Sequence, residues 1–101
     1  MIVYNITTKV HHSIDAFWLQ WQKEKVIPEI METGCFATVK LLRLLDQDDT
    51  EGKTYALQLT ADTTEKYDAY ARTLAKQLRT EAIEKWGDKI ISFHSLLEVI
   101  H

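Results

Sequence analysis

Residues 54–78, TYALQLTADTTEKYDAYARTLAKQL, place a predicted strand directly before a predicted helix. The first eight residues alternate between large apolar and smaller or polar side chains, a period of two typical of a strand with one buried face. Asp62 and Glu65 stand three positions apart, as the two ends of a capping box do at a helix start. Beyond them, apolar residues recur every three or four positions, which predicts an amphipathic helix; they are Tyr67, Tyr70, Ala71, Leu74, Leu78 and Ala82.

The first half of the chain carries a second predicted helix. Its helical period runs to Glu32 from Ser13 or Asp15, either of which could cap the helix. Pro28 lacks a backbone N–H and clashes with the preceding turn, so we expect a kink just before it. Gly34 can adopt the left-handed conformation that ends helices, and it is expected to end this one.

Four predicted strands complete the pattern, at residues 2–8, 36–45, 54–61 and 89–100, with a polar hairpin connection at 46–52. The order is therefore β-α-β-β-α-β in a single domain of 101 residues, without linker or repeat. This order predicts a ferredoxin-like α+β fold, in which two helices cover one face of a four-stranded antiparallel sheet. Right-handed crossovers would make the first and third strands central.

Composition and charge exclude several classes of protein. Apolar residues make up 46% and charged residues 27%, which argues against disorder. A net charge of −3 favours neither nucleic acid nor an acidic membrane, and no apolar run is long enough to span a bilayer. The histidines lack the spacing of zinc ligands, so we expect no zinc site. A single cysteine suits a reducing compartment, so we expect a cytoplasmic protein. The helix in the second half of the chain mixes both signs on its expected solvent face, at Lys76, Arg79, Glu81, Glu84 and Lys85.

Two helices can cover only one face of the sheet. We expect that face to carry the large apolar residues Tyr55, Leu57, Leu59, Ile91, Phe93, Leu97 and Val99. The opposite face would carry a mixed set, namely Asn5, Thr7, Gln58, Thr60, Ser92, His94, Leu96 and Ile100. Exposed to water, that face and the leucine-rich second strand would form an apolar patch unusual for a monomer. Since most oligomers are symmetric homodimers, the sequence predicts a homodimer packed through this sheet face.

Candidate binding residues lie on both sides of the predicted cleft between helices and sheet. Five aromatic residues occur at helical spacing, where they are more often core than a ligand cage: Trp18, Trp21, Tyr67, Tyr70 and Trp86. Tyr4 and Tyr55, on central strands, would form the floor of a pocket for a small apolar ligand. His94 is expected on the dimer-facing side of the sheet. It would act there as a hydrogen-bonded interface residue or as a ligand contact. By fold analogy alone, it could also be an axial haem ligand. The predicted ligand-binding set is Tyr4, Trp18, Trp21, Tyr55 and His94, with no catalytic residue, metal or cofactor.

Short motifs in both halves of the chain carry a family resemblance. The first half contains Trp18, Trp21, Ile27-Pro28-Glu29, Thr33-Gly34 and Phe36, and the second half contains Thr54-Tyr55-Ala56 and Trp86-Gly87-Asp88-Lys89. Together these motifs resemble a bacterial family known as domain of unknown function 4286 (DUF4286). Members often carry a histidine before the Ile-Pro-Glu triplet, where this chain has Val26. The resemblance implies a dimeric α+β barrel. It therefore implies a fold and a dimeric state, but no particular reaction.

Two functions follow from these expectations. The first is a homodimeric, non-catalytic module that binds a small apolar ligand or acts through protein contacts. The alternative is a cofactor-independent monooxygenase or isomerase with its site between helices and sheet, because some members of the superfamily that the resemblance implies are such oxygenases. Both functions require an open cleft. In a purely structural dimer, Trp18, Trp21 and Trp86 would fill the cleft instead.

Overall fold

A four-stranded antiparallel sheet forms one layer of the protein, in a computed structural model that describes all 101 residues. Its strands are β1 (Ile2–His11), β2 (Thr38–Arg43), β3 (Gly52–Ala61) and β4 (Ile90–Glu98). Their spatial order is β2-β3-β1-β4, so β1 and β3 are central, as right-handed crossovers require. The predicted ferredoxin-like β-α-β-β-α-β order is confirmed.

The first helical segment connects β1 to β2 and changes geometry along its length. It consists of α1 (Asp15–Trp21), a π-helical turn (Gln22–Val26) and α2 (Ile27–Glu32). The irregularity expected just before Pro28 is therefore a widened turn within a continuous helix. Gly34 has φ of +72° and follows the helix end, as predicted.

The start of α1 differs from the prediction, because neither Ser13 nor Asp15 caps the helix. Ile14 occupies the cap position and makes no side-chain hydrogen bond to the backbone. A 3₁₀ turn precedes it, and the ring Nδ1 of His11 accepts the amide of Ser13 at 3.1 Å. The histidine at the end of β1 therefore takes the capping role one turn earlier than expected.

The second helical segment connects β3 to β4 and consists of α3 (Thr64–Thr73) and α4 (Ala75–Trp86), which meet at Leu74. Its cap is Thr63, whose hydroxyl accepts the amide of Lys66 at 3.2 Å. The cap predicted at Asp62 is wrong by one residue. Thr63 has the extended backbone that a cap requires, and Asp62 instead forms a weak ion pair with Lys66 at 3.7 Å.

The core lies between the sheet and the helices and is dominated by central-strand residues. Its larger cluster consists of Tyr4, Val26, Ile30, Phe36, Leu57, Leu59, Ala61, Tyr70, Ala75 and Leu78, and a smaller one consists of Val10, Trp18 and Tyr55. Phe36 packs edge-on against Tyr70, with ring centroids 5.1 Å apart, before the chain enters β2. β2 begins at Thr38 and ends at Arg43, so it is shorter than the predicted strand at 36–45.

The register of β4 against β1 corrects one expectation about the sheet faces. Residues paired directly across an antiparallel ladder project to the same face, and Tyr4, on the helix-covered face, pairs with both Leu59 and Leu96. The helix side of β4 is therefore Ser92, His94 and Leu96, and the open side is Ile91, Phe93, Ser95 and Leu97. The predicted faces of β4 are wrong, because the strand is shifted by one residue relative to the expectation, and such a shift exchanges every side chain between the two faces. Val99 and Ile100 lie beyond the end of β4.

The other face assignments are confirmed. Tyr55, Leu57 and Leu59 lie beneath the helices and are buried. The open face carries Asn5, Thr7, Gln58 and Thr60 from the two central strands, as their ladder pairings show. Most of β4 is exposed, because the helices do not fully cover this edge strand.

Candidate functional site

A cavity of about 310 Å³ lies between the helices and the sheet. Thirteen of its nineteen lining residues are hydrophobic, which is the composition of a small-molecule pocket. The sheet contributes Tyr4, Ile6, Thr8, Leu57, Ile90, Ser92 and His94. The helical side contributes Trp18, Trp21, Gln22, Val26, Ile30, Tyr70, Ala75, Leu78, Arg79, Ala82, Ile83 and Gly87. We refer to this space as the cleft.

The cleft stays open because its tryptophans pack along its edges. Trp18 stacks on Tyr55 with ring centroids 5.2 Å apart, and Trp21 meets Trp86 edge-on at 5.8 Å. On the helical side, α4 presents the small side chains Ala75 and Ala82 to the cavity. The tryptophans therefore do not fill the space, as they would in a purely structural dimer.

The π-helical turn contributes directly to the cleft. Gln22 and Val26, its first and last residues, are the two that are buried, and both line the cavity. Only 6% of Gln22 is exposed. Its side-chain amide has no hydrogen-bond partner in the protein, but its polar atoms are not fully enclosed, since the enclosed atoms without a partner are Glu29 Oε2, Asp49 Oδ1 and Trp86 Nε1. Turns of this kind occur frequently at functional sites, and here one places an unpaired amide in an apolar wall.

Three polar side chains form a chain across the cleft. A guanidinium nitrogen of Arg79 lies 3.4 Å from the hydroxyl oxygen of Tyr4 and donates to it. The same hydroxyl lies 2.5 Å from Nδ1 of His94. Tyr4 is only 2% exposed, and its ring also packs against Tyr67 and Tyr70. This buried hydroxyl therefore holds an imidazole from β4 and a guanidinium from α4 together.

The electrostatics of the cleft keep most of its polar groups neutral. Burial lowers the pKa of His94, and the charge of Arg79 lowers it further. Burial raises the pKa of Tyr4 and outweighs the opposing hydrogen bond and charge of Arg79. The pKa of Tyr70 is likewise raised by burial. At neutral pH, Arg79 is thus the single charged side chain that lines the cleft.

Four of the five predicted ligand-binding residues line the cleft: Tyr4, Trp18, Trp21 and His94. Tyr55 does not, because the ring of Trp18 covers it and its hydroxyl donates to Asp15 at 2.6 Å. His94 reaches the cleft from the opposite face to the one predicted, owing to the register of β4. The cavity volume of about 310 Å³ is at the lower end of the range for small-molecule sites.

Sequence reasoning missed the polar residues Gln22 and Arg79, along with Thr8 and Ser92 as lining groups. Arg79 is exposed, as the prediction of a solvated charged face requires, but it also lines the cleft, which the sequence reading did not include. Its spacing contained the correct signal, because it follows Ala75 by four positions and precedes Ala82 by three, and both line the cleft. Gln22 gave no such signal, since its burial depends on the π turn.

Two other kinds of site find no support in the structure. No three of the histidine, cysteine, aspartate and glutamate side chains are grouped so that they could hold a metal ion. None of the helices combines the length and the apolar character needed to cross a bilayer. The cleft is therefore the feature on which a functional interpretation rests.

Comparisons with known proteins agree on the fold. A family model described as Domain of unknown function (DUF4286) matches residues 1–100. A dimeric ferredoxin-like protein from an uncultured marine organism has a TM-score of 0.74 at 10% identity, covering 99% of this chain and 95% of that one. An ethyl tert-butyl ether D (EthD) family protein from Bacillus halodurans has a TM-score of 0.72 at 15% identity, covering 99% of this chain and 100% of that one.

A third structure, from Bacillus cereus, is provisionally described as an antibiotic biosynthesis monooxygenase. It has a TM-score of 0.66 at 15% identity and covers 99% of this chain and 93% of that one. At such identities the three likenesses show a shared fold. A comparison with curated proteins finds no match.

Acidification should destabilise the protein through His94. Its pKa is lowered in the folded state, so the unfolded chain binds this proton first as the pH falls. The stabilisation is complete above the unfolded pKa of about 6.5 and is lost as the pH falls through the folded pKa. Urea unfolding between about pH 7.5 and 5.5 should show this decline, and His94→Gln should reduce it.

The matched control is His12→Gln, which removes an exposed imidazole outside the cleft. This variant should keep the decline of the wild type. An unchanged pH dependence in His94→Gln would show that the imidazole is not held in its neutral form by the cleft.

Proposed function

This chain belongs to the DUF4286 family, and we propose that it is a homodimeric module that binds a small, largely apolar ligand in the cleft. The observation that carries the proposal is the open, mainly hydrophobic cavity of about 310 Å³ beneath the helices. Pockets that bury small ligands are concave, apolar and equipped with a few polar groups, and the cleft has all three properties.

The shape of the cleft supports a flat, ring-containing ligand. Trp18 and Trp21 present aromatic surface on the helical side, and Tyr4 and Leu57 present apolar surface from the sheet. A planar body between these layers would gain both apolar burial and aromatic packing. Gln22 adds an unpaired amide that a polar atom of the ligand could satisfy.

The open sheet face supports the homodimer. Ile91 is 58% exposed and Phe93 is 67% exposed, and both lie on this face with Leu42 and Leu97. Asn5 and Gln58, at the centre of the face, can hydrogen-bond across a symmetric interface. A second copy of the sheet would cover this mixed surface while leaving the cleft, on the other side of the sheet, accessible to the ligand.

The proposal also concerns location and partners. Cys35 is the single cysteine and a free thiol, which suits the reducing cytoplasm. The net charge of −3 offers no electrostatic attraction to nucleic acid. The proposed partners are therefore a second copy of the chain and a small molecule.

Filling the cleft should abolish ligand binding. In Ala82→Phe, a ring enters the cavity from α4 and overlaps the space that a ligand would occupy. Binding of neutral one- and two-ring compounds, 2-naphthamide among them, is measured by quenching of tryptophan fluorescence. Affinity should fall by about tenfold or more, which corresponds to about 1.4 kcal/mol.

Ala71→Phe is the matched control, since Ala71 is exposed on α3 and does not line the cleft. It should bind the compounds as the wild type does. If no compound binds the wild type, or if Ala82→Phe binds as well as the control, the cleft is not the binding site.

A charge on the open face should disrupt the dimer. Phe93→Glu places a carboxylate on the edge-strand side of the proposed interface, where it would be buried against a second sheet. Sedimentation velocity should show the wild type as a dimer at micromolar concentration and the variant as a monomer. Phe17→Glu is the control, because Phe17 on α1 is 66% exposed and lies outside the sheet. A monomeric wild type would contradict the proposal.

The second candidate is the cofactor-independent monooxygenase or isomerase, and the neutral His94 favours it. Tyr4 holds this imidazole at Nδ1, and Arg79 stands at the same hydroxyl. If Nδ1 carries the proton and donates to Tyr4, then Nε2 is free to remove a proton from a bound molecule. Arg79 would stabilise the resulting enolate or phenolate.

This alternative is tested with an enolisable two-ring ketone, 2-tetralone. In D₂O, an enzyme of this kind should accelerate deuterium incorporation next to the carbonyl, as followed by NMR. His94→Asn should remove the acceleration while leaving 2-tetralone bound. If 2-tetralone binds but incorporates deuterium no faster than it does in buffer alone, the enzymatic alternative is contradicted. Ligand binding without catalysis would then be the function of the cleft.

A further inference from the structure

The position of Arg79 in the cleft contrasts with that of the ion-paired cations of this protein. Lys25 pairs with two glutamates, Arg43 pairs with Asp49, and Lys66 pairs with Asp62. Arg79 is exposed and, like eight other lysines and arginines of the chain, has no carboxylate partner, but it is the one cation that lines the mainly hydrophobic cavity. Its single hydrogen bond is the long one to the phenol of Tyr4.

The sequence of α4 explains why no internal partner exists. The positions one turn before and one turn after Arg79 are Ala75, Lys76, Ala82 and Ile83, and none of them is acidic. Glu81, the nearest acidic residue in the sequence, is bonded to Lys25 and Gln77 instead. The guanidinium has five N–H donors, of which the structure uses one, so the others remain available to a ligand.

The remaining polar groups of the cleft suit an anion of single charge. His94 is in its neutral form and Tyr4 is a phenol, so one positive charge is present. A dianionic phosphate would lack a second cation, whereas one carboxylate matches the planar fork of one arginine. When Tyr4 donates to Nδ1 of His94, the Nε2–H of the ring becomes a further donor.

We infer that the ligand of the cleft is a small apolar carboxylic acid, whose rings lie among the hydrophobic residues and whose carboxylate is bound by Arg79. This inference rests on the proposed function and specifies its ligand class. Independent support comes from Gln22, a polar side chain more than nine-tenths buried that lines the same cavity without a protein partner. Its amide supplies a hydrogen bond to a polar atom of the ligand.

The test compares 2-naphthoate with its neutral amide, 2-naphthamide, by isothermal titration calorimetry at neutral pH. The wild type should bind the carboxylate about tenfold or more tightly than the amide, because only the carboxylate forms charge-assisted bonds with Arg79. Arg79→Met keeps much of the side-chain length and removes the charge. It should lose this preference and retain its affinity for the amide.

The control is Arg72→Met, since Arg72 is an exposed arginine on α3 that does not line the cleft. It should keep the preference of the wild type. Equal affinities for the two compounds in the wild type, or a preference retained in Arg79→Met, would overturn the inference and leave the binding function intact. If the wild type binds neither compound, the proposed function itself is contradicted.

Discussion

The hydroxyl of Tyr4 is a polar group within an apolar layer, and the arrangement of the cleft depends on satisfying it. The ring is fixed by the central position of β1, where Tyr4 pairs with Leu59 on one side and Leu96 on the other. A buried hydroxyl without a partner would be costly, and the two groups within reach are His94 from the edge strand and Arg79 from α4. One hydrogen-bonding requirement thus brings together two residues 15 positions apart in sequence and on opposite layers of the fold.

Much of the fold could be predicted because its patterns are unambiguous. The change of period after Ala61 and the alternation of β3 specify one strand, one helix and the face between them. In β4, by contrast, both alternating sets contain large apolar residues, so periodicity could not choose a face. Pairing with β1 decides it, and this long-range constraint places His94 in the cleft. The unpaired amide of Gln22 was unpredictable for a similar reason, since a π turn has no strong local signature.

The two surfaces of functional interest share one strand. His94 projects into the cleft, and Phe93 projects from the open face one residue away. Since β4 is an edge strand with little helical cover, packing of its open face would restrain the backbone that carries the imidazole. The nine-residue backbone of β4 therefore connects the two sides of the sheet mechanically. Burial of the open face would affect the geometry of the Tyr4–His94–Arg79 hydrogen bonds on the other side.

The π-helical turn has a consequence for how related sequences are compared. A turn with bonds from residue i to i+5 holds one residue more than the α-helical turn that it replaces. Loss of one residue within Gln22–Val26 would restore α-helical geometry and rotate the helix on one side of it by about 100° relative to the other. Gln22 and Val26 could then no longer share the cleft wall. In this protein a one-residue gap inside this helix would therefore mark a change in the wall of the cleft.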